Sequence, residues 1–109
     1  RVKFSFSAKL GGWEDQKDYS IVYLYFLDSS GVEIKHRTLT GPTPAEREGA
    51  SECLYRQDPG GRVPAGTRQI GIKVDFYNPE YHSGESSVDA YTDDIVVRFT
   101  ARSDLSVSN

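Results

Sequence analysis

Aromatic and polar side chains lie in and beside the loops between the apolar runs of this sequence. Sugar rings present apolar C–H faces that stack on Trp and Tyr, while amides, carboxylates and Arg hydrogen-bond to hydroxyls. Tyr77, Tyr81 and His82 are the strongest part of the candidate set. The alternative interpretation is that Trp13 and Tyr91 close the ends of the core. The full set of candidate carbohydrate-binding residues is Trp13, Arg47, Tyr77, Asn78, Tyr81, His82 and Tyr91.

Acidic residues in a late segment are the candidate cation ligands. Calcium takes about six to eight oxygen ligands, which carboxylates and carbonyls of acidic loops can supply. The candidate set is Asp89, Asp93 and Asp94. Because these acids lack EF-hand spacing, the residues by themselves favour solvated turn carboxylates over calcium. His36 and His82 stand apart in the sequence, so a transition-metal site is less well supported.

No motif in the sequence indicates catalysis. A glycosidase needs two carboxyl groups flanking a cleft, and no pair is singled out among the many acids. Cys53, the only cysteine, alternates with Tyr55 in a short strand pattern, which predicts a small thiol filling the core. Gly60-Gly61 lacks the Lys-Ser/Thr of a phosphate-binding loop. We therefore expect a protein that is not an enzyme.

The run Tyr19–Leu27 predicts the central strand of the fold. Val22, Leu24 and Phe26 alternate with Ile21, Tyr23, Tyr25 and Leu27, so both faces are apolar or aromatic. A strand of this kind is expected to be covered on both faces. Asp28-Ser29-Ser30-Gly31 follows as a turn, and Val32–Thr40 is the predicted hairpin partner, with Val32, Ile34 and Leu39 facing inward.

Alternating patterns predict further strands, each with an apolar inward face. The inward residues are Val2, Phe4, Phe6, Ala8 and Leu10 in one strand, Ile70, Ile72, Val74 and Phe76 in a second, and Ile95, Val97, Phe99 and Ala101 in a third. Ser51–Arg56 and Val88–Tyr91 predict two short strands, and Asp58-Pro59-Gly60-Gly61 predicts a turn. Thr43 and Glu46 form a capping box for one turn of helix.

These elements predict an all-β protein, an antiparallel β-sandwich of the jelly-roll type. The 109 residues suffice for one domain, with residues 1–102 forming the sandwich and residues 103–109 a frayed tail. The chain begins in the middle of a strand pattern at Arg1-Val2-Lys3-Phe4, which indicates a mature fragment or an excised module.

The charge and hydropathy of the sequence argue against two classes of partner, nucleic acids and membranes. The net charge is -3 and the basic residues are scattered, whereas a nucleic-acid surface shows a basic stripe. No apolar stretch approaches the roughly 20 residues of a membrane-spanning helix. Neither nucleic acid nor membrane insertion is therefore expected.

The order of motifs resembles the β-sandwich modules of the galactose-binding-domain-like superfamily, specifically secreted bacterial ones. The matching motifs include Gly11-Gly12-Trp13, Val63-Pro64-Ala65-Gly66-Thr67-Arg68 and Ala90-Tyr91-Thr92-Asp93-Asp94-Ile95. The resemblance implies carbohydrate binding or adhesion, an extracellular or cell-surface location, and a structural calcium near Asp93 and Asp94. It also implies one or two further strands before the first one here.

Two functions follow as expectations. The first is a non-catalytic carbohydrate-binding or adhesion module that uses the loop aromatics. The alternative is a structural or assembly module that pairs with another chain, or with itself, through an exposed sheet edge.

Overall fold

A computed structural model describes residues 2–12, 17–78 and 90–101, and these residues form six β-strands. The predicted tail at residues 103–109 lies outside the described residues. The strands are β1 (Val2–Gly12), β2 (Tyr19–Leu27), β3 (Glu33–Thr40), β4 (Glu52–Arg62), β5 (Gln69–Tyr77) and β6 (Ala90–Ala101).

The strands form two three-stranded antiparallel sheets, which confirms the all-β prediction. The first sheet, sheet A, has the order β4-β1-β6, and the second, sheet B, has the order β3-β2-β5. The central strands β1 and β2 contribute most of one shared apolar core, so the architecture is compatible with a β-sandwich.

The core consists of the inward residues of the two central strands and one residue of β3. Its members are Phe4, Phe6, Ala8, Leu10, Val22, Leu24, Phe26 and Leu39. The rings of Phe4 and Phe26 contact each other between the two sheets, with their centroids 4.8 Å apart. The inward alternation predicted for β1 is confirmed from Phe4 onward, whereas Val2 is exposed.

The prediction that β2 is a central strand is confirmed, but the prediction that both of its faces are covered is wrong. Val22, Leu24 and Phe26 are fully buried. The alternate residues, including Tyr23 and Tyr25, are only partly buried. Sheet A covers one side of sheet B, so the other side of β2 faces outward. Tyrosine suits this position because its ring is apolar and its hydroxyl is polar.

The hairpin from β2 to β3 is confirmed, and its turn is held by Asp28. The carboxylate of Asp28 accepts hydrogen bonds from the backbone N–H groups of Ser30 at 2.8 Å and Val32 at 2.9 Å. Val32 and Ile34 do not face inward as predicted. Both are exposed. The alternation of β3 places Leu39, Arg37 and Lys35 opposite the buried Val22, Leu24 and Phe26, so Ile34 is off the inward side, and Val32 precedes β3.

Strand β4 is longer than predicted and runs through the predicted turn at residues 58–61. The chain remains paired with β1 because a bulge absorbs one residue between Phe4 and Phe6. Gly60, at φ +85°, permits the bulge. The prediction that Cys53 fills the core is also wrong. Cys53 is exposed, whereas the next residue, Leu54, lies opposite the buried Leu10.

Strands β5 and β6 contain the residues predicted to face inward, but their inward sides are incompletely covered. Val74, Ile95 and Val97 pack against the core. The residues that stay substantially exposed are Ile70, Ile72, Phe76, Phe99 and Ala101. Each is paired beside a residue on the inward side of β1 or β2, as Ile72 is with Leu24 and Phe99 with Phe4. The predicted separate strand Val88–Tyr91 is part of β6 from Ala90 onward, and residues 88 and 89 lie outside the described residues.

The predicted capping box between Thr43 and Glu46 is confirmed, but the turn of helix predicted with it is wrong, because residues 44–49 form hydrogen-bonded turns. The Glu46 backbone N–H donates to Thr43 Oγ1 at 3.2 Å, and the Thr43 N–H donates to Glu46 Oε1 at 3.1 Å. The other carboxylate oxygen of Glu46 accepts a 2.7 Å hydrogen bond from Arg56 on β4, which holds the pKa of Glu46 below its usual value. The bond ties the loop between β3 and β4 to sheet A.

Candidate functional site

The outer face of sheet B carries a cluster of aromatic side chains that we call the tyrosine platform. Because β2 alternates, its odd-numbered residues lie on this face, and residues paired with them on β3 and β5 lie there too. Tyr77 lies opposite Tyr19, and His36 lies opposite Tyr25. The platform consists of Tyr19, Tyr23, Tyr25, His36 and Tyr77.

Ring contacts join these side chains into one surface. The rings of Tyr19 and Tyr77 are near-parallel with centroids 5.2 Å apart, and those of Tyr23 and Tyr25 are near-parallel at 5.8 Å. The His36 ring lies 5.7 Å from the Tyr25 ring. A hydrogen bond of 3.3 Å between the hydroxyls of Tyr23 and Tyr77 connects the two tyrosine pairs. The platform thus follows β2 for about 20 Å.

Polar groups of β5 and β3 adjoin the platform. The Lys73 ammonium lies 4.9 Å from the centroid of the Tyr23 ring, in cation–π geometry, and 3.2 Å from the Asp75 carboxylate. The Tyr77 hydroxyl donates to Asp75 at 3.2 Å, and His36 contacts Glu33 at 2.9 Å. Positively and negatively charged groups that can form hydrogen bonds therefore border the rings.

A pocket of about 410 Å³ adjoins one end of the platform. Its walls include Lys17, Tyr19, Ile21, Thr40, Pro42 and Pro44. The Gly41 N–H donates to the Ser20 carbonyl at 2.8 Å, which brings the Gly41-Pro42 segment onto the end of β2. Tyr19 belongs to both pocket and platform, so the two form one continuous surface. The volume is within the range of sites for small ligands.

Of the predicted carbohydrate-binding residues within the described ranges, only some belong to this surface. Tyr77 is in the platform, and Asn78 follows it directly. Tyr91 lies on the outer face of sheet A, because its neighbour Thr92 points between the sheets and donates to the buried Ser20 hydroxyl at 2.9 Å. Tyr77 and Tyr91 are therefore on opposite outer faces.

Among the remaining predicted residues, Arg47 is the one that the structure describes, and it does not contribute to this surface. Arg47 is fully buried, donates to the Ala50 carbonyl at 3.1 Å and packs beside Gly12, so its guanidinium supports the loop and does not face solvent. Trp13, Tyr81 and His82 lie outside the described residues.

Two of the three predicted calcium ligands, Asp93 and Asp94, are described, and they are adjacent residues of β6. Asp94 lies 3.2 Å from the Lys9 ammonium, and Asp93 accepts the Asp94 N–H at 2.8 Å. Asp89 lies outside the described residues. Within residues 2–12, 17–78 and 90–101, no group of three or more His, Cys, Asp or Glu side chains could hold a metal ion. Asp93 and Asp94 by themselves supply fewer oxygen ligands than the roughly six to eight that calcium takes.

Sequence reasoning missed Tyr19, Tyr23, Tyr25 and His36 as surface residues. The signal was the chemical difference between the two faces of β2. One face carries Val, Leu and Phe, and the other carries three tyrosines, whose hydroxyls require a polar partner or water.

Hydrogen bonding within the platform raises the pKa of Tyr77. The main cause is the bond to the Tyr23 hydroxyl, followed by partial burial and the nearby Asp75 carboxylate. Because the folded pKa exceeds the ordinary value of 10.0, the contribution of Tyr77 to stability is complete below pH 10 and is lost as the pH rises above it. In a spectrophotometric titration we expect one tyrosine to ionise after the others.

Two substitutions test this assignment of the late-titrating tyrosine. Tyr23→Phe removes the hydroxyl partner and should return the pKa of Tyr77 toward the ordinary value. Tyr55→Phe, on exposed β4, should leave the late component unchanged. A wild-type titration in which every tyrosine ionises together would contradict the assignment.

No helix among the described residues is long and apolar enough to cross a membrane. No family model, curated protein sequence or solved structure matches this chain, so the functional assignment depends on the geometry of its surface.

Proposed function

We propose that this chain is a non-catalytic carbohydrate-binding or adhesion module that binds a polysaccharide on the tyrosine platform. The observation that carries the proposal is the row of partly exposed tyrosines along β2, continuous with the pocket at Tyr19. A row of rings along a strand suits an extended ligand, and the pocket suits the end or a branch of that ligand.

The chemistry of the surface supports a sugar. Tyrosine rings offer apolar area at little conformational cost, and the C–H faces of sugar rings can pack on them. The carboxylate of Asp75, the ammonium of Lys73 and the imidazole of His36 lie beside the rings and can exchange hydrogen bonds with hydroxyl groups. No covalent step is needed for this function.

The proposal includes the finer assignments that the sequence suggested. These are a jelly-roll sandwich of the galactose-binding-domain-like type, secretion to the extracellular space or cell surface, and a structural calcium bound outside the platform. The two antiparallel sheets support the first assignment. The platform lies on one outer face, whereas Asp93 and Asp94 belong to the other sheet, so the proposed sugar site does not depend on calcium.

Affinity electrophoresis in gels containing soluble polysaccharides, combined with a glycan array, tests the proposal. We expect retardation on at least one polysaccharide. Tyr19→Ala and Tyr25→Ala should each weaken binding about tenfold, as expected for the loss of one aromatic anchor. Because both side chains lie on the outer face, circular dichroism should show that the variants remain folded.

Tyrosines on sheet A provide the matched controls. Tyr55 and Tyr91 are 59% and 42% exposed, more than the partly buried Tyr19 and Tyr25, so their replacement by Ala removes an accessible ring from the opposite face. Both control variants should bind within about twofold of the wild type. Absence of retention on every polysaccharide, or an equal loss in the control variants, would refute the platform as a sugar site.

A second function, assembly with another chain, is favoured by the incomplete cover of β5 and β6. Ile70, Ile72, Phe76 and Phe99 are 41%, 48%, 50% and 46% exposed, although all lie on the inward side of their sheets. Apolar residues beside an unpaired strand edge are typical of surfaces that a further strand completes.

A further inference from the structure

Three of the four edge strands carry features that discourage pairing with another strand. Strand β4 contains Pro59 and the Gly60 bulge. Strand β6 has a register shift and a positive φ at Asp94. Strand β3 has a register shift near its start and places charged Lys35 and Arg37 on its inward side, opposite Phe26 and Leu24. Proline, bulges and inward-pointing charges are the common means of protecting a sheet edge.

Strand β5 has no such protection. Its nine residues pair with β2 in an unbroken register, without proline or bulge. Its inward side is entirely apolar, with Ile70, Ile72, Val74 and Phe76 at alternate positions, and three of these four are at least 41% exposed. Among the described residues, β5 has no strand on the side away from β2. A regular, apolar and unpaired edge of this length is suited to pairing with another strand.

We infer that β5 pairs in antiparallel orientation with β5 of a second copy of this chain, around a two-fold axis at Val74. The inference rests on the second of the functions proposed above and identifies the partner. In this register, Lys73 lies opposite the partner's Asp75, and Asp75 lies opposite the partner's Lys73. Opposite charges facing each other across a strand pair stabilise it, whereas like charges destabilise it.

The same register matches the remaining side chains of β5. On the inward side, Ile72 lies opposite the partner's Phe76, so the exposed apolar residues cover one another. On the outward side, Gly71 lies opposite the partner's Tyr77 and leaves space for its ring. A two-fold interface must be self-complementary, and β5 meets this requirement in charge, hydrophobicity and size.

Pairing through β5 joins the two copies of sheet B into one six-stranded sheet. Both tyrosine platforms then lie on the same face of that sheet. Two platforms on one rigid surface can bind one polysaccharide chain together, which raises the apparent affinity without a new contact. The dimer would thus strengthen the proposed carbohydrate binding, although its formation does not require a sugar.

Cysteine cross-linking tests both the dimer and its register. In a Cys53→Ser background, Val74→Cys places two thiols beside each other at the axis, and mild oxidation or a short bifunctional maleimide should give a covalent dimer. Ile70→Cys is the matched control on the same strand side. In this register its two copies are separated by eight residues, or roughly 27 Å, and should not cross-link. Cross-linking through position 70 but not 74 would overturn the register.

Analytical ultracentrifugation at protein concentrations from micromolar to millimolar tests the strength of the association between the two copies. We expect a monomer–dimer equilibrium in the wild type. Ile72→Lys should abolish the dimer, whereas Ile34→Lys, at an exposed residue of β3, should preserve it. Lys73→Asp and Asp75→Lys should each weaken the dimer about tenfold, and the double variant, which exchanges the charges, should restore it.

The possible outcomes separate this inference from the sugar site. A monomer at every concentration, or open-ended oligomers in place of a dimer, would overturn the inference. A dimer that is insensitive to Ile72→Lys would also overturn it. Failure of the dimer leaves the binding of polysaccharide by monomers intact, and failure of polysaccharide binding leaves the sedimentation result intact, so each result refutes its own proposal.

Discussion

Phe26→Ala should destabilise the fold by about 3–5 kcal/mol, a large part of the stability of a domain of this size. Phe26 is fully buried near the end of β2, the central strand of sheet B, and the centroid of its ring lies 4.8 Å from that of Phe4 in sheet A. The substitution removes a whole buried ring and leaves a cavity between β1 and β2. Because these strands contribute most of the core, neighbouring residues cannot refill the space from outside.

Urea unfolding followed by circular dichroism measures this effect, and Phe99→Ala is its control. Phe99 also lies on an inward side, but it is 46% exposed, so truncation should cost about 1–1.5 kcal/mol. Equal losses in the two variants would show that the shared core does not lie between β1 and β2.

Gly60→Ala should destabilise the protein by about 3 kcal/mol or more, through a backbone effect. Gly60 has φ +85°, and a Cβ atom there would overlap the carbonyl oxygen of Phe4 and lie 2.6 Å from its carbonyl carbon. Both atoms belong to the backbone of β1, so the clash cannot be relieved by rotation of a side chain. The pairing of β4 with β1 at the bulge must therefore be disrupted.

Gly31→Ala is the control that separates the cost of the positive φ from the cost of the steric clash at Gly60. Gly31 has a similar φ of +80°, but no atom lies within 4 Å of the position of its Cβ. This control should cost only about 1 kcal/mol, the penalty for a left-handed conformation. Hydrogen exchange should show faster exchange of the β1–β4 amides in Gly60→Ala alone. If both alanine variants unfolded at the same urea concentration, the close approach of Gly60 to Phe4 would be refuted.

The two-residue alternation of the sequence determined the strands and most of the core. Period-two burial requires Val22, Leu24 and Phe26 on one side of β2, and Phe4, Phe6, Ala8 and Leu10 on one side of β1, whatever the topology. The turn at Asp28 and the capping box at Thr43 were also predictable, because each is formed by hydrogen bonds between near neighbours in the chain. Local chemistry specifies such features completely.

Only the tertiary structure decided which faces meet and which stay open. An alternating strand has an apolar side, but the pattern does not say whether another sheet covers it. Tyr23 and Tyr25 are on the outer face because sheet A stacks on the opposite side of β2. Ile72 and Phe76 are exposed because the described residues cover the inward side of β5 only in part, at Val74. Likewise, β4 continues through Asp58-Pro59-Gly60-Gly61 because pairing with β1 outweighs the local preference for a turn. Long-range pairing and stacking, which no short window of sequence encodes, placed both surfaces proposed to be functional.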